Sequence, residues 1–149
     1  MNSQKPIIKV GVVCGEHSGD RLGAKIISSL KNTHKVELFG VGGPKIINQG
    51  LNPIFNFEKL HVMGLIEPLL NYRELKYLRK KIINLFLKEE IDYFIGIDSP
   101  DFNIGIHKAL KNIGKTKYSS SKPLSLGVER GKDKAYKKLY RFNNVLIQF

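Results

Sequence analysis

The chain has 149 residues, a hydrophobic fraction of 42% and a formal net charge of +12, and its length fits one domain or one half of a larger protein. Its single cysteine, Cys14, excludes a disulfide framework and any multi-cysteine metal site. No stretch approaches the roughly 20 apolar residues of a membrane span, and the N-terminus lacks the apolar run of a signal peptide, so we expect a cytoplasmic protein.

The first predicted elements are a strand, a glycine-bearing turn and a helix. The apolar run Pro6–Cys14 predicts a buried strand, and the turn Gly15–Asp20 follows it. We expect Ser18 to cap the next helix and Asp20 to suit the dipole of its first turn. The helix face that we expect to be buried comprises Leu22, Ile26, Ile27 and Leu30.

A second strand and a short helix come next. Val36–Val41 predicts the strand, which runs into the turn Gly42-Gly43-Pro44. We expect a helix to about Asn48 that closes at Gly50, and then an extended or irregular segment over residues 52–58.

A long helical region is predicted from about Leu65 to Lys88, with an interruption at Pro68. Its apolar residues recur at helical spacing, and its cations fall outside that stripe. The predicted buried stripe is Leu75, Leu78, Ile82 and Leu85, and the predicted basic outer surface is Lys76, Arg79, Lys80 and Lys88.

The last well-defined elements are the strand Ile91–Ile97 and a helix from about Asn103 to Asn112, closed by Gly114. Strands that alternate with helices imply a parallel sheet wound by right-handed crossovers. We therefore predict an α/β fold, a Rossmann-like parallel sheet with helices on both faces.

The character of the sequence changes after Gly114. The last 35 residues carry nine Lys and Arg against two acidic residues, without clear periodicity, and only residues 145–147 resemble a strand. The simplest interpretation is a flexible basic tail. A tail of this charge could associate with nucleic acid or with an anionic membrane, although no helix-turn-helix, zinc-ligand or RRM-like pattern accompanies it.

Two glycine-bearing turns follow predicted strands at the edge where ligands bind in such sheets. In Gly15–Asp20 the glycines allow a sharp turn at the head of a helix, whose free N–H groups favour an anion. The second turn, Gly40–Pro44, should line the same crevice. Both a ligand-lining role and a plain connection remain open for these turns, and His17 alone is interpreted as a surface residue.

The block Ile97–Asn103 places two carboxylates directly after a buried strand. We predict a chemical role for Asp98, since a carboxylate held at a strand end could act as a general base towards a hydroxyl. We predict that Asp101 is the N-cap of a helix beginning at Asn103. The sequence shows no Asp/Glu/His cluster at metal-ligand spacing and no serine nucleophile elbow. The apolar run Val62–Leu70, broken by Gly64 and Pro68, favours core packing but could instead receive a lipid chain.

Four segments in order, Gly15–Asp20, Gly40–Pro44, Val62–Leu70 and Ile95–Asn103, resemble the motifs of lipid-A-disaccharide synthase. These motifs are similar to G-E-x-S-G-D, G-(I/V)-G-G-P, V-M-G-L-x-E-x-L and I-G-I-D-x-P-D-F-N. The resemblance covers residues 8 to about 116. It implies the N-terminal, acceptor-side half of a two-domain GT-B glycosyltransferase, here residues 1–116.

The resemblance also implies a reaction and a set of site residues. UDP-2,3-diacylglucosamine would condense with 2,3-diacylglucosamine 1-phosphate to give lipid A disaccharide and UDP, with inversion and with Asp98 as the base. No metal, other cofactor or nucleic acid is implied, and the enzyme would lie peripherally on the inner face of the inner membrane. Substrate-binding positions would be Glu16, Ser18, Gly19, Gly42, Gly43 and Asn103, and acyl-chain or membrane contacts would be Val62, Met63, Leu65 and Leu69.

The chain departs from the family after about residue 116. The family continues H-Y-V-S-P-S-V-W-A-W and then adds a donor-binding domain, whereas residues 117–149 contain no tryptophan. We hypothesise that this segment is a frameshifted translation, because suitable codons for Lys122–Glu129, read one nucleotide later, can spell S-P-S-V-W-G-W. Sequencing the DNA decides this hypothesis. On this interpretation the donor-binding half is absent and the chain alone transfers no sugar.

Two other functions remain open. The chain could be a single-domain Rossmann-like binder of a nucleotide or another anion, with a native basic tail. It could also be a basic module that associates with nucleic acid or membrane through residues 115–149, in which case binding falls steeply with salt.

Overall fold

A mostly parallel sheet lies at the centre of the computed structural model, which describes residues 5–65, 71–113, 139–142 and 145–148. The elements in chain order are β1 (Ile7–Cys14), α1 (His17–Thr33), β2 (Lys35–Val41), α2 (Pro44–Ile47), β3 (Asn52–Pro53), α3 (Glu58–Leu65), α4 (Tyr72–Glu89), β4 (Tyr93–Ile97), α5 (Pro100–Ile113), β5 (Leu139–Phe142) and β6 (Val145–Gln148).

The strand order is β3-β2-β1-β4-β6-β5, and the first four strands in this order are parallel. Val12 of β1 pairs with Gly40 of β2 on one side and with Ile95 of β4 on the other. The chain therefore winds outward from β1 to β3 and then returns to β4 on the opposite side of β1. Such a reversal opens a crevice at the carboxyl ends of the two central strands.

Helices cover both faces of the sheet, as two neighbouring residues of β4 show. A Cβ added to Gly96 would lie 2.8 Å from Asn103 of α5, whereas a Cβ on Gly23 of α1 would lie 2.6 Å from Ile97. Because successive strand residues point to opposite faces, α5 and α1 lie on different sides. The predicted α/β, Rossmann-like fold is therefore confirmed.

The central strands are buried on both faces, which explains their continuous apolar runs. Val10, Val12 and Val13 of β1 have no solvent exposure. Gly11, which points to the same face as Val13, leaves room for core side chains there, because a Cβ at this position would lie 2.6 Å from Ile91 and 2.9 Å from Phe86. Each fully buried Val, Ile or Phe side chain contributes roughly 1.5–3 kcal/mol relative to its exposed state.

Helix α1 differs from its prediction in its start and in its inner face. The helix begins at His17 with Glu16 at the N-cap position, so the prediction that Ser18 caps it is wrong, and Ser18 is exposed in the first turn. Ile27 and Leu30 are buried as predicted, but Leu22 and Ile26 are only half-buried. The glycines of α1 let its backbone approach the sheet closely, which moves the inner face towards Gly19 and Gly23.

Helix α3 was not predicted, because residues 52–58 were expected to be extended or irregular and the next helical region was expected to begin only at about Leu65. Only Asn52–Pro53 forms a strand, and a helix begins at Glu58. The Glu58 N–H donates to Oδ1 of Asn56 at 2.9 Å, a local bond that starts the helix. Residues 66–70, including the predicted interruption at Pro68, lie outside the described residues.

Helix α4 buries Leu78 and Ile82 as predicted, together with Phe86. Leu75 and Leu85, which were also predicted to be buried, are half-buried. Arg79 is also half-buried rather than part of an exposed basic surface. Its guanidinium lies 5.2 Å from the ring centre of Phe102, a cation–π contact that joins α4 to α5.

The segment predicted to be a basic tail, residues 117–149, is described only in part. Strand β6 lies antiparallel to β4, with Ile95 opposite Ile147, and β5 lies antiparallel to β6. The predicted resemblance to a strand at residues 145–147 is thus confirmed. The other residues of this segment lie outside the described part of the chain, so its interpretation as an aberrant or disordered tail remains a prediction.

Candidate functional site

Two loops meet at the carboxyl edge of the central strands, where Cys14 of β1 is paired with Ile97 of β4. A Cβ added to Gly15 would collide with Oγ of Ser99, and a Cβ added to Gly19 would collide with Oδ2 of Asp98. Both glycines therefore permit contacts that any side chain would block. The structure thus brings the first turn of α1 against Asp98 and Ser99, which form the Asp98 loop.

The backbone of the Asp98 loop is strained. Asp98 and Ser99 have φ values of 56° and 44°, in the left-handed region that residues other than glycine seldom adopt. Each such residue costs on the order of 1–3 kcal/mol, and strain of this kind clusters at functional sites. Pro100 then begins α5, where its fixed φ suits the first helical position.

This start of α5 corrects the interpretation of Asp101. The helix begins at Pro100 rather than at Asn103, so Asp101 lies inside the first turn and is not the N-cap. The Asn103 N–H instead donates to the backbone oxygen of Ser99 at 3.1 Å. Asp101 is exposed, and its negative charge suits the positive end of the helix dipole.

The Asp98 carboxylate lies half-buried against the first turn of α1. Burial raises the pKa of this carboxyl above its usual value, and the nearby Glu16 carboxylate raises it further, whereas the Gly19 backbone N–H lowers it. Its Oδ2 atom is buried and has no hydrogen-bond partner among the described residues. A half-exposed carboxylate of raised basicity can accept a proton from a hydroxyl group.

Asn103 supports the Asp98 loop from within the core. Its side chain has no solvent exposure, and its Nδ2 donates to the backbone oxygen of Asp98 at 2.6 Å. This bond holds the strained turn in place. The structure thus gives Asn103 a positioning role, and direct contact with a substrate stays a prediction.

The two glycine turns are joined through Asp20. Its buried carboxylate accepts the N–H groups of Lys45 at 2.8 Å and of Ile46 at 3.0 Å, and so caps α2. A Cβ on Gly43 would lie 2.6 Å from the Asp20 carboxyl carbon, and one on Gly42 would lie 2.9 Å from Ile46. Packing therefore accounts for both glycines, and their substrate contacts remain predictions.

The remaining polar candidates lie on the surface beside this edge. Glu16 and Ser18 are exposed, as residues that meet a substrate should be. Cys14 lies beneath them with no exposure, and burial raises the pKa of its thiol to about 12. A thiol in this state is not a nucleophile at neutral pH.

The four candidates for acyl-chain or membrane contact do not share one environment. Val62 of α3 is 48% exposed, whereas Met63 is 8% exposed and belongs to the core. The Leu65 side chain and the whole of Leu69 lie outside the described residues. Over the described ranges, no helix combines the length and the apolar character that a membrane span requires.

A cluster that sequence analysis missed lies at the start of α3. One ligand atom each from His17, Glu58 and His61 lies within 4.8 Å of the others, so the expectation that no Asp/Glu/His cluster forms is wrong. The spacing Glu58-x-x-His61 places two ligands on one face of a helix and was the available signal. It was missed because residues 52–58 were predicted to be non-helical and His17 is distant in sequence.

Comparison with known proteins finds one family, both by a sequence profile and by individual relatives. The sequence profile of the family described as Lipid-A-disaccharide synthetase matches residues 10–118. The chain is 48% identical over 101 residues to the lipid-A-disaccharide synthase of Colwellia psychrerythraea, covering 67% of this chain and 26% of that protein. It is 46% identical over 108 residues to that of Pseudomonas fluorescens, covering 72% and 29%. The matches thus span between a quarter and a third of the length of these relatives.

Proposed function

We propose, because this chain belongs to the lipid-A-disaccharide synthetase family, that it supplies the acceptor-side half of a glycosyltransferase of lipid A biosynthesis. The donor would be UDP-2,3-diacylglucosamine and the acceptor 2,3-diacylglucosamine 1-phosphate. The enzyme would work at the inner face of the inner membrane, without a metal in the transfer step. A second, donor-binding domain would complete the GT-B fold.

In the proposed reaction Asp98 is the general base. Its carboxylate accepts the proton of the acceptor 6-hydroxyl as that oxygen attacks the anomeric carbon of the donor. The new glycosidic C–O bond forms while the bond to the donor phosphate breaks, and UDP leaves with the bonding electrons. Attack opposite to the leaving group inverts the anomeric configuration.

The observation that carries this proposal is the state of Asp98 at the crevice. The carboxyl has a buried oxygen without a hydrogen-bond partner among the described residues, and burial raises its pKa. A general base is most effective when its pKa is raised towards the working pH. Its loop is strained and is held by a buried asparagine, which fits a residue kept in place for function.

The alternative of an anion-binding Rossmann-like domain receives less support from the same geometry. Free N–H groups at the head of α1 would be its anion site. Asp98 lies against this turn, and Glu16 stands at the N-cap, so two carboxylates face the position that an anion would take. Neutral or hydroxyl-bearing ligands fit this position better than phosphate. The alternative of a nucleic-acid or membrane module concerns residues 115–149, most of which lie outside the described part of the chain.

A chimera tests the proposed function. The matching 101-residue segment of the Colwellia psychrerythraea relative would be replaced by the corresponding segment of this chain, and disaccharide formation from both lipid substrates measured. We expect turnover within about tenfold of the parent enzyme. A folded chimera that binds donor but forms no disaccharide would contradict the assignment.

A further inference from the structure

We propose that His17, Glu58 and His61 form a binding site for a divalent transition-metal ion of the Zn²⁺ class. The three residues offer two imidazole nitrogens and one carboxylate oxygen, all within 4.8 Å of one another. Two histidines and one glutamate are an established donor set for zinc, with a fourth position open to water or another ligand. This inference does not depend on the proposed sugar transfer.

The distances fit a tetrahedral ion after small side-chain rotations. His17 Nε2 lies 3.3 Å from Oε1 of Glu58. Zinc bonds of about 2.0–2.1 Å at tetrahedral angles place two ligand atoms roughly 3.3–3.4 Å apart, so this pair already has the required separation. The widest separation in the cluster is 4.8 Å, so it must shorten by roughly 1.5 Å to fit this geometry. His17 and Glu58 have side-chain exposures of 56% and 52% and are free to rotate towards His61.

Two helices, α1 and α3, carry these side chains. Glu58 and His61 are three residues apart on α3 and therefore lie on one face of the helix. His17 is the first residue of α1, and its ring packs edge-on against Phe57 at 4.9 Å and against His61 at 4.8 Å. The Phe57 ring also stacks on His61 at 6.1 Å. These contacts orient both imidazoles before any ion binds.

A surface ion pair between His17 and Glu58 explains only part of this arrangement. Such a pair contributes about 0–1 kcal/mol and does not require a third group. His61 is brought to the same point, and its Nδ1 atom is buried without a hydrogen-bond partner among the described residues. An imidazole nitrogen in that state costs free energy unless another partner is present, and a bound ion next to this ring would offset that cost.

The donor set also selects the class of ion. Imidazole nitrogens favour Zn²⁺, Cu²⁺ or Ni²⁺, whereas Mg²⁺ and Ca²⁺ favour all-oxygen sites. A bound ion would connect the first turn of α3 to the first residue of α1, beside Glu16. It would therefore stabilise the fold next to the crevice, and the folded state would gain stability by mass action.

The test is metal binding by the purified 149-residue chain after treatment with a chelator. We expect titration with Zn²⁺ to give one equivalent with a Kd on the order of 1 µM or tighter, and a higher Tm with Zn²⁺ than with Mg²⁺. Replacement by Co²⁺ should give visible d–d absorption typical of a four-coordinate ion. Failure to bind Zn²⁺ in this range would overturn the proposal.

Matched variants separate this site from adventitious binding. Glu58→Gln, on an exposed side chain, and His61→Ala should each weaken Zn²⁺ binding by at least about 10-fold. His34→Gln changes a histidine that bonds Thr33 outside the cluster and should leave binding unchanged. Equal Zn²⁺ affinity of the parent and Glu58→Gln chains, or loss of binding in His34→Gln, would overturn the proposal. Circular dichroism would confirm that each variant is folded. If His61→Ala does not fold, the Glu58→Gln variant still decides the test.

Discussion

At the scale of single residues, Asp98 combines two unfavourable features. Its backbone lies in the left-handed region at φ 56°, and its carboxyl has a buried oxygen without a partner among the described residues. Strained and unpaired groups persist where the surrounding structure holds them in place, and they cluster at functional sites. Here Asn103 and the first turn of α1 hold Asp98 in place, whereas Asp101, three residues later, is exposed.

The raised pKa of Asp98 predicts how stability depends on pH. The folded chain binds this proton more tightly than the unfolded chain, in which the pKa of the carboxyl has its ordinary value of 3.8. Stability contributed by this group is therefore present below 3.8 and is lost as the pH rises through the higher folded value. We expect Asp98→Asn, which removes the charge and tolerates the left-handed backbone, to raise the Tm at pH 7.

The measurement is thermal unfolding of the parent and Asp98→Asn chains between pH 3.5 and 8. The Tm difference should be smallest at the acid end and largest at neutral pH. A variant that is less stable than the parent at pH 7 would show that the carboxylate stabilises the loop instead.

The buried thiol of Cys14 gives a second prediction at this scale. Its pKa of about 12 leaves very little thiolate at pH 8. We expect alkylation by iodoacetamide to be slower by roughly three orders of magnitude than for an ordinary cysteine, because the thiolate is the reactive form. Mass spectrometry of native and urea-unfolded samples measures this ratio, and rapid labelling of the native chain would contradict it.

At the scale of elements, short turns hold the helices against the sheet. Asp20 of α1 caps α2, and Gly43 leaves space for its carboxylate. Two motifs that are 20 residues apart in sequence thus form one packing unit. Close packing requires glycine at these positions, whether or not the glycines also contact a substrate.

Removal of this cap should lower stability. Asp20→Ala leaves the buried N–H of Ile46 and the N–H of Lys45 without an acceptor, and we expect a loss of about 1–3 kcal/mol. Asp101→Ala, at an exposed position in a first turn, should cost less than about 1 kcal/mol. Urea unfolding of both variants checks the order, and equal midpoints would contradict the capping role of Asp20.

The sequence allowed the central strands β1, β2 and β4 and the place of Asp98 after β4 to be predicted, but not α3. Strands buried on both faces give unbroken apolar runs such as Val10–Val13, which stand out without tertiary information. Helix α3 is short, and it depends on the Asn56 side chain and on core contacts of Leu60 and Met63. The His17 cluster followed from that placement, so it could not be anticipated once α3 was missed.

The start of α5 shows a second limit of local sequence cues. Pro100 can either lie in a loop or begin a helix, and the residue before a proline usually has extended backbone. Asp98 and Ser99 instead have left-handed backbone and pack against Gly19 and Gly15. These contacts are tertiary, which is why the expected helix start at Asn103 was three residues late.

At the scale of the whole molecule, the described residues form a Rossmann-like unit whose topological switch point lies between β1 and β4. The matches to known synthases span 26% to 30% of those proteins. In the proposed reaction the donor is bound by a second domain. The 149-residue chain by itself should therefore leave both lipid substrates unchanged, as measured by UDP release, and measurable turnover would contradict this division of roles.

The most direct test of Asp98 as the general base is the Asp98→Asn substitution in the chimera with the Colwellia psychrerythraea enzyme, compared with Asp101→Asn in the same chimera. General-base catalysis contributes about 10²–10⁴-fold to rate, so kcat for disaccharide formation should fall by that factor in Asp98→Asn, with KM for the acceptor nearly unchanged. Asp101→Asn should retain kcat within about threefold. If both variants keep the parent kcat, Asp98 is not the general base and the proposed mechanism is wrong.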